Sequence, residues 1–294
     1  MKITNKTIKQ IRMNKKYFKN LNTLDFDLTL SYTIKKPKEF LYSHPEYVLT
    51  TIELLKLKFS LDKIKKGLPI AYVTKTKEFF GLDFNVNKNV LIPRPETETI
   101  VEEVLKEINC HPEQNKETKT ILIDVGTGSG CIPISILKNT NKKIKTIAID
   151  ISKKALKVAK KNAKKHKVKI EFLNGNLLSP VISKNYDLKD KNLIITANLP
   201  YVTEKQYKQE KSIQFEPKIA LTAKHEGLDL YEKLLTQLKI LTITYNLKST
   251  IYFEIDPNQT KKIKTLIKKY LPNTNILIIK DLRKKDRIVK INLQ

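Results

Sequence analysis

A glycine-rich run, Asp124-Val125-Gly126-Thr127-Gly128-Ser129-Gly130, stands between an apolar stretch, Thr120-Ile121-Leu122-Ile123, and a second one, Ile132 to Leu137, that reads as a helix. Glycines at such a junction let the backbone turn sharply and let a ligand approach without meeting a Cβ. A strand, a glycine turn and a helix in this order commit the chain to an α/β sheet, in which ligands lie beyond the carboxyl ends of the strands. The spacing is G-x-G-x-G, and Cys131 occupies the position where a dinucleotide fingerprint has its third glycine. That departure counts against a nicotinamide cofactor.

The surrounding pattern agrees. A helix from about Thr97 to Ile108 precedes the glycine run, and strands read at Ile144–Ile149, Lys169–Leu173, Leu193–Ala197, Thr250–Ile255 and Asn275–Ile279. Helices read at Ser152–Lys165, Leu228–Leu241 and Gln259–Tyr270. Strands alternating with helices predict a parallel sheet covered on both faces. The last segment, Arg287–Asn292, alternates like an edge strand pairing antiparallel with its predecessor. Residues 5–66 read instead as helices, with a longer apolar run from Leu49 to Ile64, and Gly67-Leu68-Pro69 then punctuates the chain. Phe residues flanking Gly81 suit a short hairpin. The expected organisation is a small helical domain over 1–74, a hairpin linker over 75–95 and the α/β domain over 96–294.

Asp150 ends the strand after the glycine run, where a carboxylate can accept both hydroxyls of a ribose. Asn176 stands after the third strand, within reach of an adenine edge, and Leu177 beside it can cover the ring. Taken singly, Asp150 could only cap the next helix and Asn176 could only shape a turn. In this order they outline a nucleoside site.

Asn198-Leu199-Pro200-Tyr201 follows the fourth strand and opens into the same crevice. An amide nitrogen is a poor nucleophile, because its lone pair is delocalised into the carbonyl. A site that methylates it from a sulfonium donor must hold both hydrogens in plane and aim the lone pair at the methyl. The Asn198 side-chain oxygen and the Leu199 carbonyl can each accept one N–H, favouring the positive charge that develops on nitrogen. Pro200 stiffens the turn, and Tyr201 can wall or stack on a planar acceptor. These residues are the expected acceptor clamp, and the expected cofactor is S-adenosylmethionine.

Composition narrows the setting. The formal net charge is +27, yet arginine occurs only at Arg12, Arg94, Arg283 and Arg287. Arginine is the residue that reads base edges and grips phosphate with paired bonds. A lysine excess of this kind reads as compositional bias and solvated surface, compatible with nucleic-acid contact without requiring it. The cysteines, Cys110 and Cys131, and the four histidines, His44, His111, His166 and His225, show no metal-ligand spacing. No apolar run approaches the roughly 20 residues that span a bilayer, and the first 22 residues lack a secretory apolar segment. A cytoplasmic monomer with no membrane association is expected.

With these residues in view, the chain resembles the peptide chain release factor glutamine N5-methyltransferase family over nearly its whole length. Leu91-Ile92-Pro93-Arg94-Pro95-Glu96-Thr97-Glu98 is the most specific signature. Leu41-Tyr42-Ser43-His44-Pro45-Glu46 is similar to the family's amino-terminal helical domain. Gly67 to Tyr72 and the hairpin around Phe80-Gly81 match its linker, and Phe215-Glu216-Pro217, Gly227-Leu228-Asp229 and Asp286-Arg287 also fit. The resemblance implies a Rossmann-like class I methyltransferase sheet, parallel with an antiparallel edge strand, plus a small helical domain that recognises substrate. It implies an acceptor glutamine in the Gly-Gly-Gln loop of class 1 release factors, held by Asn198 to Tyr201. It further implies that S-adenosylmethionine contacts the run Gly126, Thr127, Gly128, Ser129 and Gly130, then Asp150, Leu177 and Asn198; Asp124 and Asn176 complete the candidate cofactor-binding residues. Arg94 joins the candidate substrate-binding residues; with Glu96 it either orders the cofactor loop or faces the release factor, a helix cap being the plain alternative. Two departures stand out. The family usually has proline at the position of Leu199 and often aspartate at that of Asn176.

Three other readings share parts of this pattern. Asn-Leu-Pro-Tyr also resembles the clamp of ribosomal RNA adenine N6-methyltransferases, although those enzymes usually carry Glu-x-Gly-x-Gly and lack the Ile-Pro-Arg-Pro-Glu segment. A relative that methylates glutamine in a ribosomal protein is the second, and a silent binding module on the same fold is the third.

Overall fold

Near-continuous apolar runs, buried on both faces, form the central strands of the larger unit. The computed structural model describes residues 6–14, 17, 21–109, 120–184, 186–189, 191–245 and 248–293; Cys110 and His111 lie outside them. It divides into two units, Met1–Thr76 and Lys77–Gln294.

The first unit is mainly helical, with helices at Ile8–Met13, Thr23–Ile34, Phe40–Ser43, Thr51–Lys65 and Ile70–Thr74. Two short strands, β1 (Lys6–Thr7) and β2 (Val48–Leu49), pair antiparallel; two-residue strands leave no periodic trace in sequence. Thr50 caps the Thr51–Lys65 helix through a capping box with Glu53. The core joins Ile8, Ile11, Phe26, Leu30, Leu41, Leu49, Leu57 and Leu61. Asp27, buried in this unit, accepts from the Tyr42 hydroxyl at 2.6 Å and from Arg12 at 3.3 Å. Tyr42 belongs to the Leu41–Glu46 segment, which therefore has a structural task.

A hairpin of β3 (Thr76–Phe79) and β4 (Leu82–Asn85) begins at the boundary of the units, and all of it but Thr76 belongs to the second. Its two turn residues, Phe80 (φ 51°) and Gly81 (φ 70°), are both left-handed, as a two-residue hairpin turn demands. Phe80 adopts that conformation with its N–H donated to the Glu98 carboxylate at 2.8 Å. The main sheet contains β5 (Thr120–Val125), β6 (Lys145–Asp150), β7 (Glu171–Asn174), β8 (Asn192–Ala197), β9 (Lys248–Glu254), β10 (Thr274–Lys280) and β11 (Asp286–Leu293). Their spatial order is β10-β11-β9-β8-β5-β6-β7. β5 to β9 pair parallel, whereas β11 is antiparallel to both of its neighbours.

The strand order reverses at β5, so the chain leaves β5 toward β6 but later returns to its other side as β8. That is the topological switch point at which open α/β sheets form a crevice. Side-chain alternation explains the layers. Ile121, Ile123 and Val125 join one core with the helices Asp229–Tyr245 and Thr260–Tyr270. Leu122 faces the other core with Phe79, Phe84 and the helices Glu98–Asn109 and Cys131–Lys138. Among the described residues, no helix is long and apolar enough to cross a membrane.

One expectation needs correction. The antiparallel strand is not the edge: β11 lies between β9 and β10, and β10 takes the rim. Ile288, Val289 and Ile291 of β11 are fully buried, and the adjacent pair Ile288-Val289 fills both faces at once. A true edge tolerates solvent, and Leu277 of β10 is 54% exposed.

Asn162 joins the hairpin to the glycine run. It is fully buried on the apolar face of the Lys153–Lys165 helix. Its oxygen accepts from the Asn85 backbone N–H and side-chain amide, both at 2.8 Å, and its nitrogen donates to the carbonyls of Asn85 (3.0 Å) and Ser129 (2.8 Å). Buried polar groups left unpaired cost about 1–3 kcal/mol each, so Asn162→Ala is expected to lower unfolding free energy by about 2–4 kcal/mol. Urea denaturation reads this directly; an unchanged midpoint would show that the bridge adds nothing.

Candidate active site

The crevice is built from the carboxyl ends of four parallel strands. After β5 the backbone N–H groups of Gly126 and Thr127 both donate to the Ile149 carbonyl of β6 at 2.9 Å. The turn then curls back, with Gly130 N–H donating to the Thr127 carbonyl at 2.8 Å. Gly130 has φ +80°, and a Cβ there would lie 3.1 Å from Ile134 and 3.3 Å from Ala159. Only glycine lets the following helix start so close to its neighbour. Beneath the turn, buried Asp124 accepts from the Thr196 hydroxyl of β8 at 2.6 Å, and burial pushes its carboxyl up to about 6.

Asp150 does two local jobs at the end of β6. One carboxylate oxygen accepts from Ser152 N–H at 2.8 Å and the other from Gly128 N–H at 2.9 Å. Ser152 in turn caps the Lys153–Lys165 helix through Ala155 N–H at 3.1 Å. Asp150 therefore shapes the helix entry and steadies the glycine turn while its side chain lines the crevice. Burial raises its pKa, and the two N–H groups pull the other way. Leu177, after β7, is buried with a left-handed backbone at φ 53°, a conformation disfavoured for leucine. Such strain at a crevice wall is held only where neighbours enforce it.

Gly126, Gly128, Ser129, Asp150, Asn176, Leu177, Asn198, Leu199, Pro200 and Arg94 line one cavity. Asp124, Thr127, Gly130 and Tyr201 are not among its lining residues. Asp124 and Thr127 are buried, and Tyr201 continues the clamp with its carbonyl against Gly227. Burial, with the Glu254 carboxylate nearby, raises the Tyr201 hydroxyl above its usual range. A Cβ on Gly227 (φ +86°) would stand 2.2 Å from that carbonyl oxygen, which explains glycine in the Gly227-Leu228-Asp229 segment.

Asn198 is held from behind. Its side-chain nitrogen donates to Glu254 Oε2 at 2.9 Å and to Thr97 Oγ1 at 3.1 Å. Both partners are buried, Glu254 at the end of β9 and Thr97 just before the Glu98–Asn109 helix. Burial pushes the Glu254 carboxyl up to about 7, against the pull of the Thr97 hydroxyl and the Arg287 guanidinium. Leu199 N–H donates to the Tyr231 hydroxyl at 3.3 Å, and that hydroxyl donates to the Glu254 main-chain carbonyl. Nearby, buried Glu216 accepts from Ile92 N–H at 3.0 Å and pairs with Arg94. Two segments more than a hundred residues apart, Leu91–Glu98 and Phe215–Pro217, are thereby tied into one wall.

Thr97, Glu216, Tyr231 and Glu254 were not singled out as site residues by sequence pattern. Glu254 carried a usable signal, a carboxylate closing an apolar strand as Asp150 does. Tyr231 carried none, since an aromatic within a helix reads as core.

The arrangement fits a nucleoside-bearing sulfonium donor. Glycines face the cavity at 126 and 128, a carboxylate stands at the strand end, and Ile132, Ile151, Ala155, Leu177 and Leu230 supply apolar walls. A Cβ at Gly126 would come within 3.1 Å of Leu199, closing the passage between the turn and the clamp.

Comparison with known proteins places this geometry. The family described as Methyltransferase domain matches residues 116–288. The release factor glutamine methyltransferase of Flavobacterium psychrophilum is 38% identical over 253 residues, covering 85% of this chain and 84% of that protein. The protein of the same name from Dictyoglomus turgidum is 35% identical, covering 91% and 90%. That from Borreliella burgdorferi is 36% identical, covering 91% and 88%. Among solved structures, the hMettl16 catalytic domain in complex with MAT2A 3'UTR hairpin 1 superposes with a TM-score of 0.55 at 13% identity, covering 90% of this chain and 91% of that one. The N-terminal domain of human METTL16 in complex with SAH gives a TM-score of 0.50 at 16% identity, covering 95% and 96%. Identities this low establish a shared fold, that of class I methyltransferases, and nothing finer. The sequence identity with the bacterial proteins extends along most of both chains, and on that ground the chain belongs to the release factor glutamine methyltransferase family.

Proposed function

We propose that the chain transfers a methyl group from S-adenosylmethionine to the side-chain nitrogen of the glutamine in the Gly-Gly-Gln loop of class 1 release factors. The observation that carries this reading is Asn198, with its amide nitrogen committed to two buried acceptors and its side chain lining the cavity beside Leu199 and Pro200. We assign the cofactor to the wall lined by Gly126, Gly128, Ser129, Asp150, Asn176 and Leu177, with Asp124, Thr127 and Gly130 shaping the turn behind it, and the acceptor to Asn198, Leu199 and Pro200, with Tyr201 behind them and Arg94 at the rim.

When bound, S-adenosylmethionine supplies an electrophilic methyl on a positively charged sulfur. Asp150 would accept the ribose hydroxyls, and Leu177 would cover the base. Asn176 in place of a carboxylate keeps an oxygen acceptor for the adenine amine. The Asn198 oxygen and the Leu199 carbonyl accept the two hydrogens of the glutamine amide, which fixes its plane and turns its lone pair toward the methyl. Both acceptors gain strength as nitrogen becomes positive, so they favour the transition state over the ground state. A strong base is not required, because the methylated amide nitrogen is acidic and loses its proton readily. Leu199 supplies the same main-chain carbonyl that proline would.

Arg94 serves the substrate side from its ion pair with Glu216, which holds the 215–220 segment against the crevice. Ile219 of that segment lines the cavity while remaining 61% exposed, a suitable contact for an incoming loop. The helical unit serves substrate recognition, residues 75–95 connect it to the catalytic domain, and the enzyme works as a cytoplasmic monomer. The charge of +27 allows nucleic-acid contact, but the chemistry does not use it.

The direct test supplies labelled S-adenosylmethionine with release factor, ribosomal subunits and bare RNA in parallel. Label enters the release factor and disappears when its loop glutamine is replaced; label confined to RNA overturns the assignment. Asn198→Ala is expected to reduce turnover by about 100- to 1000-fold, while cofactor affinity measured by titration stays near wild type. Equal loss of both would assign Asn198 to the cofactor instead. Gly227→Ala is expected to cost about 2–4 kcal/mol, combining a left-handed alanine with a clash against the Tyr201 carbonyl. Its unfolding midpoint falls and transfer falls with it; wild-type values for both would show that the clamp does not rest on Gly227.

A further inference from the structure

Asn198 offers one acceptor and one donor on a planar fork, and only the acceptor suits an incoming N–H. A flipped side chain would set its own N–H₂ against that of the substrate. Something must therefore fix the fork, and the burial pattern identifies it. Glu254 is 1% exposed and Thr97 is 2% exposed, so neither is placed to serve solvent or a docking partner. Glu254 Oε2 and Thr97 Oγ1 lie 2.9 and 3.1 Å from Asn198 Nδ2. Ionised, as it is above its pKa of about 7, the carboxylate can only accept, so it admits the nitrogen and rejects the oxygen.

Glu254 also reaches the second prong of the clamp. Its main-chain carbonyl accepts from the Tyr231 hydroxyl, and that hydroxyl accepts from Leu199 N–H at 3.3 Å. One residue at the end of β9 thus orders the Asn198 side chain and the Leu199 backbone, the two groups that meet the acceptor amide. Arg287, which donates to the Ile255 carbonyl at 3.3 Å, adds positive charge close to the carboxylate.

We infer that Glu254 is a positioning residue for methyl transfer: with the Thr97 hydroxyl it holds the Asn198 nitrogen and thereby presents the Asn198 oxygen to the acceptor amide. The inference rests on the acceptor role proposed for Asn198, and it gives the Leu91–Glu98 signature a task, since Thr97 belongs to it. Glu254 is not among the residues that line the cavity, so it acts through Asn198.

The test combines kinetics with a readout independent of substrate. Glu254→Leu keeps the volume but removes the acceptor, and is expected to lower kcat on release factor by about 100-fold, the scale of a lost charge-assisted hydrogen bond. KM for S-adenosylmethionine stays unchanged. Glu254→Gln retains a carbonyl that can accept from Asn198 and recovers turnover to within about tenfold of wild type. Thr97→Val, a one-hydroxyl change, gives about a tenfold loss and carries the kinetic test where Glu254→Leu fails to fold. In protein labelled with ¹⁵N-asparagine, Asn198 gives a slowly exchanging side-chain amide pair, identified by its absence in Asn198→Ala. That pair is lost in Glu254→Leu and kept in Glu254→Gln. Turnover and amide pair both preserved in Glu254→Leu overturn the inference, as does an equal loss in Glu254→Leu and Glu254→Gln. A wild-type enzyme inactive on release factor would sink the substrate assignment, and the amide pair would still decide the orientation.

Discussion

The amide nitrogen of Asn198 rests between Glu254 and Thr97, and much of the catalytic unit is arranged so that this contact can exist. The sheet brings β8 and β9 side by side in parallel, which sets the ends carrying Asn198 and Glu254 next to each other. Thr97 arrives from a segment anchored at several points: Ile92 N–H and Arg94 on Glu216, and Glu98 on the hairpin turn at Phe80. The hairpin is fixed in turn by Asn162, which also holds the Ser129 carbonyl of the glycine turn. The glycine turn, the hairpin and the Asn198 segment are therefore linked through buried and part-buried hydrogen bonds. In such surroundings each bond is stronger than in water and each orphaned partner is costly, so the wall is either complete or badly destabilised.

Much of the site was legible because chemistry-bearing residues at strand ends break an otherwise apolar rhythm. The glycine run, Asp150 and Asn198 all interrupt runs of Ile, Leu and Val at the position where a parallel sheet opens to ligand. The supporting residues were not legible, because their partners are distant in sequence: 101 residues separate Thr97 from Asn198, 56 separate Asn198 from Glu254, and 122 separate Arg94 from Glu216. Periodicity reports which face a residue occupies, and it is silent about which distant residue meets it there. Asn162 shows the boundary well. Its helical phase placed it correctly on the buried face with Ala155 and Ala159, but nothing local announced that it would satisfy the hairpin backbone. The last strand failed for a related reason. Its alternation suits an edge strand, whereas the cores on the two faces of the sheet bury Val289 and Ile288.

Helix entry and cavity lining meet in Asp150. Its oxygens engage Ser152 and Gly128 while the residue lines the cavity, so the same carboxylate organises the glycine turn beside it. The helix that follows carries part of the lysine excess. Its buried face is Ala155, Leu156, Val158, Ala159, Asn162 and Ala163, and most of its lysines are exposed, as a solvated face requires. That surface adds charge without adding a recognisable constellation, which leaves the crevice as the feature that specifies chemistry.

The most direct measurement of the orientation at Asn198 is a crystal structure with S-adenosylhomocysteine and a peptide carrying Gly-Gly-Gln. The account predicts the glutamine amide nitrogen within hydrogen-bond distance of both Asn198 Oδ1 and the Leu199 carbonyl, with Asn198 Nδ2 still on Glu254 and Thr97. A glutamine bound away from Asn198, or an Asn198 nitrogen released from Glu254 when the peptide is in place, would contradict it.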